Sequence, residues 1–200
     1  YQAVTWTGLY SLGGATLTIA IGLWPVWRFS RPGATMGGAI NHAVHLTSSL
    51  PAVVVGVGLL ELVVAMRGPG GEGGWTVLER MGVWLLAGYA IRFMALAHDT
   101  LVPTMASMNP RVSDAARSLG ATPWRRFWRV EVPQFSSGLW AAWTLVFVAI
   151  SKELPLTLLL APLGHHTLAY RLYDAQQEGA LANVGLAGLT LVTVSLLVVG

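Results

Sequence analysis

The sequence contains no cysteine, few charged residues and a single lysine, Lys152. Without cysteine, disulfides, thiolate metal sites and cysteine nucleophiles are excluded. Because the lysine precedes Glu153, the Gly-Lys-Ser or Gly-Lys-Thr of a phosphate-binding loop is also missing, so the chain itself has no ATPase motif. Charged residues form 10% of the 200 residues, against about 25% in soluble domains. With 54% apolar residues and a mean hydropathy of +0.59, the composition indicates a membrane protein.

Enzyme signatures are absent as well. The sequence has no H-E-x-x-H, no G-x-S-x-G and no paired intramembrane aspartate, so an intramembrane enzyme would have no nucleophile or metal ligand. An ATP-independent secondary transporter would be equally apolar, but it would need a relay of buried carboxylates. Glu61, Asp99 and Glu153 lie at depths too scattered for such a relay. Both classes stay open as alternatives, the transporter ahead of the enzyme.

Five apolar stretches are long enough to cross a bilayer, which takes about 20 residues. They cover residues 8–27, 46–66, 81–103, 135–161 and 180–200. We therefore predict an all-α, polytopic membrane protein that forms one transmembrane domain over residues 1–200. Pro25, Pro51 and Pro155 are expected to bend or interrupt their spans. An odd number of spans separates the termini, so we expect at least one span before Tyr1 to be missing from this sequence.

A polar segment, 106–134, separates the third and fourth spans. Asn109-Pro110 and Thr122-Pro123 each predict a helix start, and Gly120 predicts the turn between the two helices. The first helix carries an apolar stripe formed by Val112, Ala115, Ala116 and Leu119. In the second helix we expect Trp124, Phe127 and Trp128 to lie opposite Arg125, Arg126 and Arg129, and Pro133 to end the pattern. The segment therefore resembles a helix-turn-helix elbow.

The arginines predict the orientation of the chain. If segment 106–134 is cytoplasmic, seven arginines lie inside: Arg28, Arg31, Arg111, Arg117, Arg125, Arg126 and Arg129. The other side then holds three: Arg67, Arg80 and Arg171. This excess of positive charge favours a cytoplasmic segment, with the loops 67–80 and 162–179 outside. DNA binding is disfavoured because about 28 residues tethered between two spans cannot build a helix-turn-helix core, so we expect no nucleic-acid partner.

The spacing in the polar segment matches a family motif. Asp114, Ala115 and Ala116 are followed by three residues, Gly120, nine residues, and then Val130, Glu131, Val132 and Pro133. This pattern resembles the cytoplasmic loop of the membrane subunits of type I binding-protein-dependent ABC importers, which reads EAA, three residues, Gly, nine residues, Ile, any residue, Leu-Pro. Asp replaces Glu, and valines replace Ile and Leu, so charge and apolar character are kept.

The resemblance implies a permease domain that translocates solute by alternating access. It implies as partners two cytoplasmic ABC ATPase subunits, a second permease half, an external periplasmic solute-binding protein and the lipid bilayer of the bacterial inner membrane. ATP and Mg would be bound by the ATPases, and this chain would hold no cofactor. Segment 106–134 would be the coupling loop, with the ATPase-coupling residues Asp114, Ala115, Ala116, Leu119, Gly120, Val130, Val132 and Pro133.

A second set of residues is predicted to line the translocation path or its gate: Ser48, Ser49, Pro51, Arg92, Lys152, Glu153 and Pro155. Charged groups inside spans are functional candidates, although interfacial snorkelling of Lys152 and Glu153 and helix-packing roles for the serines are equally open. Lys152 to Pro155, with Thr157 to Leu160 after it, looks most like the iron(III) branch of the family, whose permeases often fuse two halves in one chain. Iron(III) is thus one candidate solute.

The five histidines form no recognisable metal-ligand pattern in the sequence. His42 and His45 have helical spacing and His165 and His166 are adjacent, but the predicted topology separates the two pairs across the membrane. His98, next to Asp99, is given the same reading. We therefore predict no metal site.

Overall fold

The computed structural model describes residues 2–29, 37–67 and 81–199, and every regular element among them is helical. The α-helices are α1 (Gln2–Phe29), α2 (Gly37–Ser49), α3 (Ala52–Arg67), α4 (Val83–Ala106), α5 (Pro110–Ser118), α6 (Pro123–Arg126), α7 (Val132–Gln134), α8 (Ser136–Ser151), α9 (Pro155–Leu160), α10 (Leu168–Gln177) and α11 (Leu181–Val199). A π-helical turn, Phe127–Glu131, joins α6 to α7. Arg31 and residues 68–80, which hold Arg80 and most of the glycine-rich loop, lie outside the described residues.

Among the described residues, two helices are individually long and apolar enough to cross a membrane, α1 and α4. They coincide with the first and third predicted spans. Pro25 does not interrupt α1, which continues to Phe29. Helix α4 begins after Gly82, whose positive φ of 69° lets the chain turn against the ring of Tyr10.

Two further spans are possible only as bent pairs of helices. Residues Asn41–Ser49 and Ala52–Met66 meet at 97° around Pro51, and Pro123–Gln134 meets Ser136–Ser151 at 77°. The described chain therefore offers two unbroken spans and up to two bent ones, and the apolar stretch of α11, Val184–Val198, is shorter. The all-α, polytopic membrane fold is confirmed, with the interruption predicted at Pro51.

The predicted fourth span, 135–161, is shorter than expected because α8 ends at Ser151. Lys152 to Leu154 leave the helix, and Pro155 starts α9 at a position where its missing N–H costs nothing. The interruption expected at Pro155 thus occurs, and the residues after it form a separate short helix that packs on α3. Gly56 makes this contact possible, since a Cβ there would lie 2.6 Å from Leu159 Cδ1.

The core lies where α1, α4 and α8 pack against one another. Ala15, Leu101, Ala142 and Val146 are fully buried there, and Gly14 lets Tyr89 and Ile150 approach α1 closely. Many large apolar side chains on the outer faces of the long helices are exposed, as expected for surfaces that contact lipid tails rather than water.

An aromatic cluster ties the loop before α10 to α1. His165 stacks on Trp6 with ring centroids 3.5 Å apart, and its Nδ1 lies 2.5 Å from Tyr10 Oη. We call Trp6, Tyr10 and His165 the aromatic clamp. Next to it, Thr7 Oγ1 accepts a 2.8 Å hydrogen bond from the N–H of Leu168. Helix α10 follows directly, and its buried side includes Leu168 and Ala175.

Candidate functional site

The predicted coupling loop, 106–134, folds as two helices around a glycine turn. Asn109 Oδ1 accepts from the N–H of Arg111 at 3.1 Å, and Thr122 Oγ1 accepts from the N–H of Arg125 at 3.4 Å. Both helix starts predicted from the Asn-Pro and Thr-Pro pairs are therefore formed. Gly120 has a φ of 79°, in the left-handed region that ends a helix at low cost for glycine alone.

The end of the loop differs from the prediction. Pro133 does not stop the helical path, which continues through the π-helical turn and α7 to Gln134. In the π-helical turn the N–H of Val132 donates to the carbonyl of Phe127, five residues back. Proline has no N–H to donate, and the wider turn before it accommodates this loss. The chain direction changes instead at Phe135, where the 77° bend into α8 occurs.

The first helix of the loop, α5, buries none of its side chains. The ATPase-coupling residues predicted on it are accordingly open: Asp114 and Ala115 are exposed, Ala116 is half-buried, and Leu119 after the helix is 87% exposed. Trp124 in the second helix is also 68% exposed. Of the other predicted coupling residues, Val130 and Val132 are half-buried and Pro133 is exposed. The loop thus presents large apolar side chains that this chain leaves uncovered.

The second helix does not divide into apolar and cationic sides as the sequence predicts. Phe127 is buried, with its ring 4.9 Å from that of Trp27 in α1, whereas Trp124 and Trp128 are exposed. Arg126 also lies inside, with 8% of its surface exposed. Arg126 does not share the exposed side of the other arginines because it forms a hydrogen-bonded ion pair with the buried carboxylate of Glu131.

Glu131 is the centre of this buried arrangement and was not predicted as a site residue. Its Oε1 accepts from Arg126 Nε at 3.0 Å and from Ser113 Oγ at 2.7 Å, and its Oε2 accepts from Trp27 Nε1 at 2.5 Å. Only 3% of Glu131 is exposed. One side chain therefore joins both helices of the loop to the end of α1. We call Glu131, Arg126, Ser113 and Trp27 the Glu131 node.

A sequence signal for the node did exist. Glu131 is a lone carboxylate in the otherwise apolar run from Val130 to Val132, and a charge in such a run needs a partner. Its partner Arg126 stands five residues earlier. An ordinary α-helix does not place residues with this spacing side by side, but the π-helical turn brings Arg126 and Glu131 together.

Four of the predicted path residues meet where α2 ends. Pro51 separates α2 from α3, and Arg92 of α4 points at this break. Arg92 Nη1 donates to the carbonyl of Ser48 at 2.9 Å and to that of Leu50 at 3.4 Å. Arg92 thus satisfies carbonyl groups that the end of a helix leaves without an intrahelical donor.

The serine hydroxyls at the break bond within their own helix. Ser48 Oγ and Ser49 Oγ both donate to the carbonyl of His45, at 2.8 and 3.0 Å. Local bonding of this kind is typical of serines near the end of a helix.

The remaining path residues lie in the link between α8 and α9. Lys152 is exposed, whereas Glu153 is half-buried and the charge of Arg92 acts on its carboxyl group. Glu153 Oε1 is buried and has no hydrogen-bond partner among the described residues, and the same holds for Arg92 Nε. Lys152 and Glu153 therefore have different surroundings, as their adjacent positions predict, and Glu153 lies on the Arg92 side.

Comparison with known proteins gives a consistent result. The family model described as "Binding-protein-dependent transport system inner membrane component" matches residues 14–200. The putative 2-aminoethylphosphonate transport system permease protein PhnV of Salmonella typhimurium is 25% identical over 178 residues, which are 88% of this chain and 63% of that protein.

Two other relatives have different names. The Fe(3+)-transport system permease protein FbpB 2 of Haemophilus influenzae is 24% identical over 84% of this chain and 32% of its own length. The sulfate transport system permease protein CysT of Escherichia coli is 29% identical over 69% of this chain and 50% of its own length. The chain thus spans less than two thirds of the length of each of these relatives. Because the family model covers nearly the whole chain, the protein belongs to the family of binding-protein-dependent transport system inner membrane components.

Proposed function

We propose that this chain forms the translocation path of an ATP-driven importer and moves solute by alternating access, without chemistry of its own. Its partners are two cytoplasmic ABC ATPase subunits, which bind ATP and Mg, a second permease half and an external solute-binding protein. The observation that carries the proposal is the coupling loop: an exposed apolar surface held on a frame that is tied to the membrane helices.

The docking surface on the ATPase consists of Leu119, Trp124 and Trp128, the large exposed apolar side chains of the loop. Burying such side chains against a partner is favourable by about 1.5–3 kcal/mol for each one that becomes fully covered. Trp124 and Trp128 pack edge to face, with ring centroids 5.6 Å apart, so this part of the surface is ordered before docking.

Movement passes from the loop to the helices through the Glu131 node. Because Glu131 bonds to Ser113 in the first loop helix and to Trp27 in α1, a push on the loop displaces α1 as well as α4 and α8, which continue directly from it. A loop without such buried bonds would absorb the push by bending. The predicted coupling residues Asp114, Ala115, Ala116 and Gly120 shape the part of the loop that meets the ATPase.

The loop faces the cytoplasm in this proposal, and the membrane is the bacterial inner membrane. Four arginines of the loop remain exposed and suit anionic headgroups or acidic ATPase side chains: Arg111, Arg117, Arg125 and Arg129. Arg126 is committed to Glu131 and does not contribute to this charge.

The gate of the path lies around the break at Pro51. Arg92 donates hydrogen bonds to the free carbonyl groups of α2 there. The charge of Arg92 also acts on Glu153, which lies in the link before α9. Ser48, Ser49, Lys152 and Pro155 complete the surroundings. A broken span whose backbone groups are bonded by a side chain is a structure that membranes tolerate beside a polar path.

The solute is a small ion delivered by the binding protein. The names of the relatives record 2-aminoethylphosphonate, iron(III) and sulfate transport. The resemblance of Lys152 to Leu160 to the iron(III) branch of the family also supports iron(III). The solute that co-purifies with the external binding protein identifies the cargo directly.

The test of the coupling role compares two glycines with matched backbone conformation. Gly120 and Gly164 have φ values of 79° and 86°, and in both a Cβ would enter open space. Valine at either position therefore costs a similar strain, about 1–2 kcal/mol. In the full-length protein reconstituted with its ATPases and binding protein, we expect Gly120→Val to abolish import and Gly164→Val to retain it. Both variants should insert in the membrane.

Asp114→Lys provides a second variant without backbone strain, and we expect it to abolish import as well. Co-purification of the ATPase should be lost with Gly120→Val and kept with Gly164→Val. Normal import by both Gly120→Val and Asp114→Lys would contradict the coupling role. Import that survives removal of every ATPase would instead favour an ATP-independent secondary transporter.

A further inference from the structure

Three potential metal ligands converge between α2 and α4, although more than 50 positions separate His45 from His98 and Asp99 in the sequence. His45 Nε2 lies 3.4 Å from Asp99 Oδ1, and His98 Nδ1 lies 3.5 Å from the same oxygen. All three ligand atoms lie within 4.8 Å of one another. His45 is not grouped with His42, its neighbour in sequence, but with two residues of another helix.

The two distances to Asp99 Oδ1 are compatible with the coordination of one shared ion. Zinc binds imidazole nitrogen and carboxylate oxygen at about 2.0–2.2 Å, so the ligand atoms of a tetrahedral site lie about 3.3–3.5 Å apart. An octahedral site with similar bond lengths would bring adjacent ligands to about 3.0 Å. The distances from Asp99 Oδ1 to the two imidazole nitrogens, 3.4 and 3.5 Å, are compatible with a tetrahedral site. Two imidazoles and one carboxylate are also a common zinc ligand set.

His98 gives an independent indication of a ligand. The residue is 9% exposed, and its Nδ1 is buried with no hydrogen-bond partner in the described part of the chain. A buried polar atom left in this way costs free energy, about 1–3 kcal/mol, so it calls for an explanation. The unpartnered nitrogen belongs to the cluster itself, where a metal ion would supply the missing interaction.

The other two ligands leave the cluster open on one side. The side chains of His45 and Asp99 are 45% and 55% exposed. An ion can therefore enter from the surface, and a fourth position stays available for water or another ligand. Asp99 stands seven residues before the end of α4 at Ala106, which is about 10 Å along the helix.

We propose that His45, His98 and Asp99 bind one divalent transition-metal ion that prefers tetrahedral coordination, such as zinc. The ion joins α2 to α4 near the end of α4 that leads into the coupling loop. This site is additional to the proposed transport function and does not depend on it.

The test uses Co²⁺, whose tetrahedral complexes absorb strongly in the visible range, as a probe for the full-length protein in detergent. The affinity tag is removed and the protein is stripped of metal. We expect one Co²⁺ per chain with a tetrahedral spectrum that Zn²⁺ abolishes by displacement. His45→Ala, His98→Ala and Asp99→Asn should each weaken binding more than about ten-fold. His42→Ala, which changes an exposed histidine of the same helix, should bind as the wild type does.

The design does not depend on the buried histidine alone. His45→Ala and Asp99→Asn alter largely exposed side chains, so they report on binding even if His98→Ala fails to fold. Absence of stoichiometric Co²⁺ binding by the wild type would overturn the proposal, and so would unchanged binding in His45→Ala and Asp99→Asn. A weak octahedral spectrum would overturn the proposed coordination. In any of these cases the three residues form only a polar contact between α2 and α4.

Discussion

Replacing Glu131 with glutamine should destabilise the protein and uncouple it from the proposed partner ATPase. The substitution keeps the size of the side chain but removes its charge and one of its two acceptor oxygens. If the amide oxygen faces Arg126 and Ser113, the amide NH₂ group faces the indole N–H of Trp27, so that two donors oppose each other. In the opposite orientation the same conflict arises at Arg126.

The expected cost follows from burial. Glu131 is 3% exposed and Arg126 is 8% exposed, so water does not screen the pair or replace the lost partner. Removing one member of a buried ion pair leaves an uncompensated charge and costs about 3–5 kcal/mol. We expect the free energy of unfolding of Glu131→Gln to fall by this amount. Glu178→Gln, the same change at an exposed position, should stay within about 0.5 kcal/mol of the wild type.

A double variant separates stability from coupling. In Arg126→Met/Glu131→Met no buried charge is left unpaired, so much of the lost stability should return. Ser113 and Trp27 still lose their shared acceptor, and the loop loses this tie to α1. We therefore expect the double variant to unfold near the wild-type midpoint in detergent while solute-stimulated ATP hydrolysis and import stay low.

Two results would refute this reasoning. If the free energy of unfolding of Glu131→Gln lies within about 1 kcal/mol of the wild-type value, Glu131 is not needed to compensate the buried charge of Arg126. A stable double variant with full import would show that the node supports the fold but transmits no movement.

Two further predictions concern the packing of the helices. Burial lowers the pKa of His165 in the aromatic clamp from its ordinary value of 6.5, and the neighbouring His166 lowers it further. Below about pH 6.5 the unfolded chain therefore binds a proton at His165 more readily than the folded chain does. The free energy of unfolding is thus higher above about pH 6.5 and decreases as the pH falls. Thermal unfolding at about pH 5 and about pH 7.5 measures the loss, and His165→Phe should reduce it. Gly138→Ala should cost about 1–3 kcal/mol, since a Cβ there would overlap the side chain of Thr104 in α4. Gly58→Ala, where a Cβ meets open space, should be neutral or stabilising, and equal unfolding midpoints for the two alanine variants would contradict the close contact.

The features that sequence reasoning predicted well are those set by neighbouring residues. Asn109 and Thr122 start the loop helices and Gly120 turns the chain because each needs only the backbone groups beside it. Pro51 and Pro155 interrupt helices for the same local reason, the missing N–H. The family resemblance also depended on spacing within one 20-residue segment, which a single sequence displays completely.

The features that were missed depend on helix contacts or on an unusual helix. The pairing of Arg126 with Glu131 needs a π-helical turn, so a pattern of 3.6 residues per turn places the arginine on the wrong side. The grouping of His45 with His98 and Asp99 needs the contact between α2 and α4, which no local pattern contains. The interruption at Pro155 was predicted, but the end of α8 already at Ser151 was not, because no proline or glycine stands between Ser151 and Pro155 to mark it.

The buried charges also bear on how solute selectivity can arise. Arg92 donates to backbone carbonyls at the helix break, and Arg126 and Glu131 form a buried ion pair in the coupling loop. These bonds stay within the protein and stabilise it, since an unpaired carbonyl or charge in an apolar interior costs free energy. Arg92, Arg126 and Glu131 are therefore bonded within the protein and are not free to bind solute. In the proposed importer, solute discrimination is therefore expected to depend on the external binding protein rather than on these three side chains.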